Sequence, residues 1–252
     1  MTDLPIRWRD RYRINVYESD ALGRATIAAL CDYCQDSASR HYYAIDKLIG
    51  PLLLPSQIWA LTRLEIEIDK MPAWDEIVEV ETWSRGIRKI SAYRDFLLSH
   101  AGGGTFARGT TTWVVLDRQT MGMARLSDFG GKWPSTQDGP AFDRDAAKVE
   151  PLKSPAFGKP FEVRYGDIDV NQHVNSVNYI RWMSDALGKD IIESNRLKRI
   201  AVNFLDEALL GDEVMTGREK LPDGGCLCNA VRLKDSKEVC RAKFELEPVQ
   251  ST

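Results

Sequence analysis

The sequence predicts an α+β protein made of two similar repeats, each with one helix and an antiparallel sheet. A stretch that alternates apolar and polar residues and ends in an aspartate occurs twice, at 12–20 and 161–169, with an offset of 149 residues between Asp20 and Asp169. A helical apolar pattern follows each stretch at the same distance. Several strand patterns then follow each helix, and this order is typical of a sheet wrapped around a single helix.

Each repeat has one amphipathic helix directly after its aspartate. Thr26 and Asn175 occupy matching positions, and both residue types are favoured as helix N-caps. The apolar residues that follow recur at spacings of three and four, which predicts one buried helical face per repeat. These residues are Ile27, Leu30, Cys31, Cys34 and Ala38 in the first repeat, and Val177, Ile180, Met183 and Leu187 in the second.

The strand patterns come after the helices. They cover 77–83, 90–99 and 110–117 in the first repeat, and 198–204, 213–219, 228–234 and 238–247 in the second. Lys234-Asp-Ser-Lys237 predicts a hairpin turn. Trp74-Asp-Glu-Ile-Val78 resembles Gly211-Asp-Glu-Val-Met215 at an offset of 137, and 107–113 resembles 240–246 at an offset of 133. Four matches in the same order predict a duplicated fold with shorter loops in the second repeat.

The segment 127–158 is rich in Gly, Pro, Asp, Ser and Lys, which favours a linker on the surface. We therefore predict a first repeat at 1–126, a linker at 127–158 and a second repeat at 159–252.

Composition excludes several classes of protein. The net charge is -3 and the pI about 5.7, so there is no global reason to expect a nucleic-acid partner. No apolar run reaches about 18 residues, so we predict no membrane span. The N-terminus lacks the apolar segment of a signal peptide, and we expect a cytoplasmic protein.

The cysteines do not indicate a metal site or a disulfide framework. There are five of them, an odd number at irregular spacing, which fits a reducing compartment. Cys31-x-x-Cys34 and Cys226-x-Cys228 resemble two halves of a zinc site, but the first pair lies in a helical pattern. We interpret the thiols as small apolar residues and predict no metal and no cofactor.

One polar cluster differs between the repeats. It reads Asp167-Ile-Asp-Val-Asn-Gln-His-Val-Asn175 and lies between a strand and a helix, where free backbone N–H groups can bind an oxyanion. Asp and Asn also occur at helix starts simply because they cap them. However, Asn171 and His173 align with Leu22 and Arg24, so the first repeat does without them. This asymmetry favours a chemical site in the second repeat. His41 and His100 are interpreted as surface or packing residues.

The stretch 169–180, Asp-Val-Asn-Gln-His-Val-Asn-Ser-Val-Asn-Tyr-Ile, resembles the signature of the acyl-acyl carrier protein thioesterases of plants and bacteria. Two further segments, 107–117 and 164–167, are similar to that family, and the resemblance covers nearly the whole chain. It implies two fused hot-dog repeats, the first holding the acyl chain and the second catalytic. It also implies catalytic roles for Asp169, Asn171, His173 and Glu207. A shorter Asp-x-Asn-x-His pattern also occurs in single hot-dog thioesterases that act on coenzyme A esters.

The sequence departs from the plant pattern at Ala208, where the plant proteins have a cysteine. A cysteine nucleophile at this position is therefore impossible, and we predict direct attack by water. We expect Glu207 and His173 to activate and position the water, since a histidine, or a glutamate with a raised pKa, can accept its proton near neutral pH. Asn171 would orient the water or the thioester carbonyl, and Asp169 would hold the loop. Backbone N–H groups at the start of the second helix are the predicted oxyanion donors.

The predicted function is hydrolysis of fatty acyl thioesters on acyl carrier protein, as in fatty acid biosynthesis. The alternatives are a thioesterase of the same fold that acts on acyl-coenzyme A or on an aromatic or polyketide thioester, a hot-dog dehydratase, or a non-catalytic acyl-binding protein. The position of Asn171, and Glu207 on a different strand, count against the dehydratase. Either a monomer or a homodimer is compatible with the sequence. A basic docking surface for the acidic carrier is predicted at one of two clusters, Arg85, Arg88 and Lys89 or Arg196, Lys198 and Arg199.

Overall fold

The computed structural model describes residues 5–124, 136, 139–142 and 144–249. The chain forms two compact units, one of Met1–Thr62 and Met71–Ala146 and the other of Arg63–Lys70 and Ala147–Thr252. Of the predicted linker at 127–158, residues 127–135, 137, 138 and 143 lie outside the described residues. The predicted repeat and linker boundaries therefore stay a prediction.

The first unit packs one long helix against an antiparallel sheet. Its sheet order is β1-β3-β4-β5-β2, and β1, β3, β4 and β5 pair antiparallel in that order. The hydroxyl of Thr26 accepts the N–H of Ala29 and caps the helix, as predicted. All five residues of the predicted apolar face are buried. The elements are β1 Arg7–Arg13, α1 Ile27–Ile49, β2 Gln57–Ile68, β3 Ile77–Arg88, β4 Ser91–His100 and β5 Thr105–Asp117.

The second unit repeats this arrangement with a shorter helix. The part of β2 from Arg63 onwards pairs with β8, and the order continues β8-β11-β10-β9, with β6 and β7 both on β9. The side chain of Asn175 accepts the N–H of Val177, which confirms the predicted cap. The elements are β6 Ala156–Phe157, β7 Phe161–Glu162, α2 Ser176–Leu187, α3 Lys189–Ser194, β8 Asn195–Phe204, β9 Glu213–Lys220, β10 Cys226–Arg232 and β11 Lys237–Pro248.

Strand pairing confirms the duplication and corrects one predicted offset. Tyr12 pairs with Val78 and Phe161 pairs with Val214, so the middle strands are related by 136 residues rather than the predicted 137. The residues with positive φ before these strands, Asp75 and Gly211, also match at 136. The predicted offset was wrong because it aligned the identical Asp-Glu pairs of the two halves. The equivalent residues are instead the two with positive φ, at which the chain turns into the strand.

The two alternating stretches, 12–20 and 161–169, are not continuous strands. β1 ends at Arg13 and β7 at Glu162, and each is followed by a 3₁₀ turn, Val16–Glu18 or Tyr165–Asp167. In each turn a backbone N–H donates to the carboxylate of the residue three positions later. The donor is Asn15 and the acceptor Glu18 in the first turn, and Arg164 and Asp167 in the second. These local bonds replace the strand ladder. β2 was not predicted as a strand.

Within the described residues no helix is long and apolar enough to cross a membrane.

Candidate active site

The loop 164–175 shapes the predicted site in the second unit. Asp169 controls its path, because one carboxylate oxygen accepts the N–H of Asn171 at 2.7 Å. The carbonyl of Asp169 accepts the N–H of Gln172 at 3.0 Å, and its N–H donates to the carbonyl of His173 at 2.9 Å. The loop therefore closes on itself between Asp169 and His173, and this fixes the backbone that carries the imidazole.

Three backbone N–H groups at the start of α2 already make hydrogen bonds within the protein. The N–H groups of Val177 and Asn178 donate to the side chain and the carbonyl of Asn175, while the N–H of Asn175 donates to the carbonyl of Asp167. A backbone N–H that is satisfied inside a helix cap does not stabilise an oxyanion. The predicted oxyanion donors are therefore wrong for these three groups.

A second chain segment brings Glu207 to the loop. Glu207 lies just beyond β8. Hydrogen bonds fix both the backbone carbonyl and the backbone N–H of its neighbour Ala208. The carbonyl of Ala208 accepts the N–H of Val174 at 3.0 Å, and its N–H donates to the phenolic oxygen of Tyr179 at 2.8 Å. As a result, Nδ1 of His173 lies 3.2 Å from Oε2 of Glu207.

The imidazole and the carboxylate form an accessible acid–base pair. Their side chains are 30% and 34% exposed, so water or a substrate can reach both groups. The side chain of Asn171 is exposed and makes no hydrogen bond to any described residue, which leaves its amide available to a ligand. Four predicted site residues thus lie on one loop and one neighbouring strand end, and the direct side-chain contact joins His173 to Glu207.

Arg232 supports Glu207 and was missed by sequence reasoning. Its guanidinium, only 8% exposed, donates to the backbone carbonyl of Glu207 and is paired with Asp235 at 2.6 Å. The hydrogen bond from Arg232 lowers the pKa of Asp235 to about 2, so this carboxylate stays charged. An arginine at the end of an apolar strand, three residues before an aspartate, is the sequence signal that could have indicated this support.

The other two histidines belong to the first unit. His41 is buried between the carbonyl of Pro5, at 2.6 Å, and the guanidinium of Arg94, at 3.0 Å. Burial and the charge of Arg94 lower the pKa of His41 to about 4, which keeps it neutral and confirms a packing role. His100 lies 3.0 Å from Glu76. A histidine beside a carboxylate is therefore not unique to the candidate site.

The two predicted basic docking clusters are partly neutralised within the fold. Arg85 and Arg88 both pair with Asp145, and Arg85 also pairs with buried Asp95. In the other cluster, Arg199 pairs with buried Glu65 and with Glu245. These arginines hold the fold together, so they offer a partner less positive charge than the sequence suggested.

Two domain models of one family match successive parts of the chain. The acyl-ACP thioesterase N-terminal domain matches residues 5–128, and the acyl-ACP thioesterase C-terminal domain matches residues 152–248. The chain belongs to the acyl-ACP thioesterase family. This confirms the resemblance seen in the motif around His173.

Individual relatives agree with this assignment. The chain is 29% identical over 224 residues to oleoyl-acyl carrier protein thioesterase 2 of Arabidopsis thaliana, a chloroplastic protein, covering 82% of this chain and 61% of the relative. The chain thus spans somewhat under two thirds of the length of that relative.

Two solved structures show the same fold. An acyl-ACP thioesterase from Bacteroides thetaiotaomicron has a TM-score of 0.85 at 23% identity, covering 98% of this chain and 100% of the other. The 12:0-ACP thioesterase from Umbellularia californica has a TM-score of 0.84 at 21% identity, covering 97% and 98%. The predicted α+β fold of two hot-dog repeats is confirmed.

Proposed function

We propose that this chain hydrolyses fatty acyl thioesters carried on acyl carrier protein and releases the free fatty acid. The observation that carries the proposal is the accessible His173–Glu207 pair at 3.2 Å, in which His173 lies on the loop that also presents an unengaged Asn171 amide. Membership of the acyl-ACP thioesterase family supports the same substrate class.

In the proposed reaction, a water oxygen attacks the thioester carbonyl carbon while the His173–Glu207 pair accepts a proton from that water. The tetrahedral intermediate then collapses, the carbon–sulfur bond breaks, and the leaving thiolate takes up the proton. The products are a carboxylic acid and the free thiol of the carrier. A positioned acid–base group contributes about 10²- to 10⁴-fold to the rate of such a step.

The remaining predicted residues support this step. The side-chain amide N–H of Asn171 would donate to the thioester oxygen and stabilise the charge that develops there. Asp169 is a positioning residue, since its carboxylate is used on the backbone of the loop. The assignment of these roles rests on the contacts within the second unit.

A covalent route through cysteine has no support in the described residues. Ala208 occupies the position next to Glu207 and is fully buried. All five cysteines are buried. Burial raises the pKa of the Cys228 thiol to about 12 and also raises that of Cys240, so neither thiol ionises readily near neutral pH.

The finer assignments of substrate, partner and compartment are part of the same proposal. The relatives bear names such as oleoyl- and palmitoyl-acyl carrier protein thioesterase, and one solved structure of the same fold is a 12:0-ACP thioesterase, which favours a fatty acyl group on a carrier protein. A role for the first repeat in holding the acyl chain rests on the sequence resemblance alone, and a cytoplasmic location is kept only as an expectation from the sequence.

The test is release of free thiol from one acyl chain presented on two carriers. Acyl carrier protein and coenzyme A share the same arm, so a lower KM for the protein-borne ester supports recognition of the carrier protein itself. Equal KM values would favour an acyl-coenzyme A thioesterase. Absence of hydrolysis with bound fatty acid would contradict the proposed reaction and indicate an acyl-binding protein.

A further inference from the structure

Glu207 lies in a segment without helix or strand, residues 205–212, so no regular hydrogen-bond ladder fixes its backbone. Side chains hold it instead. The carboxylate of Asp206 accepts the N–H of Glu207 at 2.8 Å, and the guanidinium of Arg232 donates to the carbonyl of Glu207. Arg232 also lies 3.4 Å from the carboxylate of Asp206. One arginine is therefore connected to both peptide groups that flank the Cα of Glu207.

Asp235 fixes the plane of this guanidinium. Nε of Arg232 donates to one oxygen of Asp235 at 3.0 Å, and Nη2 donates to the other oxygen at 2.6 Å. A bidentate pair of this kind sets the orientation of the whole planar group. Nη1 is thereby directed at the carbonyl of Glu207. Because the arginine side chain is only 8% exposed, water competes little for these bonds.

The equivalent position in the first unit is occupied by a histidine. Val78 and Val214 are equivalent residues of β3 and β9. Val78 pairs with His100 on the next strand, and Val214 pairs with Arg232. His100 is therefore the counterpart of Arg232, and it lies 3.0 Å from the carboxylate of Glu76.

The second unit keeps a carboxylate at the position of Glu76 but pairs it with another cation. Asp212, 136 residues after Glu76, accepts the backbone N–H of the residue three positions before it at 3.0 Å, as Glu76 does at 3.1 Å. Nζ of Lys234 lies 2.6 Å from Asp212. Lys234 thus takes the place that His100 has in the first unit, and Arg232 is left to contact the segment of Glu207.

The arginine and the glutamate occur together, since the unit with Met71 at the position of Glu207 has a histidine at the position of Arg232. We propose that Arg232 is a positioning residue for the reaction, an inference that rests on the proposed thioesterase function. By holding both peptide groups of Glu207, it directs the carboxylate at Nδ1 of His173, where the pair accepts the proton of the attacking water. Arg232 acts through Glu207 and takes up no proton itself.

Arg232→Lys is the first test. A lysine keeps the positive charge beside Asp235 but lacks the fork that also reaches the carbonyl of Glu207. We expect kcat for an acyl carrier protein ester to fall about tenfold to 10²-fold, as for a small misplacement of a reacting group, while KM stays unchanged. A rise in KM with kcat unchanged, or no change in either constant, would overturn the inference.

Asp235→Asn is the second variant and serves if Arg232→Lys does not fold. It keeps the arginine but weakens the pair that orients it, so kcat should fall by less than about tenfold, with KM unchanged. Lys234→Met is the matched control, because it removes a neighbouring positive charge that is paired with Asp212. It should leave both constants at the wild-type value. A loss of kcat in Lys234→Met as large as in Arg232→Lys would contradict the inference, since the net charge and not the geometry would then matter.

A double-mutant cycle measures whether Arg232 acts through Glu207. In the Glu207→Gln background, Arg232→Lys should change kcat by less than about twofold, because no proton acceptor is left to be positioned. A further loss of about tenfold, the same as in the wild-type background, would show that Arg232 supports the structure in general and would overturn the inference.

The NMR signals of His173 separate this inference from the proposed function. The chain has three histidines, so the nitrogen signals of their side chains can be assigned. Arg232→Lys should move the signal of Nδ1 of His173 towards its position in Glu207→Gln and leave those of His41 and His100 unchanged. This result supports the positioning even if no thioester is hydrolysed, in which case only the proposed reaction fails. An unmoved His173 signal contradicts the inference, whatever the hydrolysis assay shows.

Discussion

The loops 15–26 and 164–175 have the same backbone and different chemistry. In both, an aspartate N–H donates to the carbonyl four residues on, from Asp20 to Arg24 and from Asp169 to His173. In both, the aspartate carboxylate accepts the N–H two residues on, at 2.9 Å and 2.7 Å. In both, the residue three positions after the aspartate has a φ of 69°. It is Gly23 in one loop and Gln172 in the other.

The residues that fold the loop differ from those that form the candidate site. Asp20 and Asp169 make the same hydrogen bonds to the backbone of their loops, so an aspartate at this position does not by itself indicate catalysis. The chemistry differs where Arg24 stands for His173 and, at the corrected offset of 136, where Met71 stands for Glu207. Arg24 pairs with Asp20 at 2.8 Å, which completes a structural contact. The candidate site is thus the His173–Glu207 pair, placed on a loop backbone that both units share.

The largest expected effect comes from removing one member of the pair. We expect His173→Ala to lower kcat for thioester hydrolysis by about 10²- to 10⁴-fold, because the proton acceptor is lost while the loop backbone remains. Glu207→Gln should lower kcat within the same range. Thiol release under saturating substrate measures the change.

Arg24→Ala is the matched control, at the equivalent position of the other loop. It should leave kcat unchanged, with circular dichroism confirming that all three variants fold. Full activity in His173→Ala would show that the difference between His173 and Arg24 is not due to catalysis. A comparable loss in Arg24→Ala would show that the effect is structural.

A smaller effect is expected from the aspartates that both loops share. Asp20 accepts the backbone N–H groups of Leu22 and Arg24 as well as the Arg24 side chain. We expect Asp20→Ala to lower the free energy of unfolding by about 1–3 kcal/mol, because these bonds end on a charged acceptor. Urea denaturation measures the loss, and kcat should be retained.

The same change in the other loop should have two consequences. Asp169→Ala should lower stability by less, since one backbone N–H bond to its carboxylate is observed, and should also lower kcat because His173 loses its fixed position. If Asp20→Ala lowered kcat as much as Asp169→Ala, the separation of scaffold from site would be wrong.

Much of the fold could be predicted because the duplication repeats local signals. Helix caps at Thr26 and Asn175 and the apolar faces behind them depend on nearby residues, and the structure confirms both. The predicted offset between β3 and β9 was wrong by one residue, because matching residue types do not reveal which residue has a positive φ. The 3₁₀ turns were missed because their side-chain bonds compete with an alternating pattern that otherwise predicts a strand.

Parts of the site depend on contacts that no local pattern encodes. The sequence resemblance indicated His173 and Glu207, and the structure places them 3.2 Å apart. The support from Arg232, and the peptide of Ala208 held by Tyr179, come from strands and helices that are distant in sequence. Three of the predicted oxyanion donors at the start of α2, the N–H groups of Asn175, Val177 and Asn178, are wrong because the cap and the turn before it already use them.

The smallest expected effect concerns the residue with positive φ in each loop. A Cβ at Gly23 would meet no atom within 4 Å, so Gly23→Ala tests backbone strain alone and should cost about 1 kcal/mol of stability. Gln172→Gly should have the opposite sign and stabilise by less than about 1 kcal/mol, because relief of strain exceeds the added chain entropy only slightly. Thermal denaturation of the two variants measures both changes. Destabilisation by Gln172→Gly would mean that the glutamine side chain itself holds the loop of His173, and the two loops would then share less than their hydrogen bonds suggest.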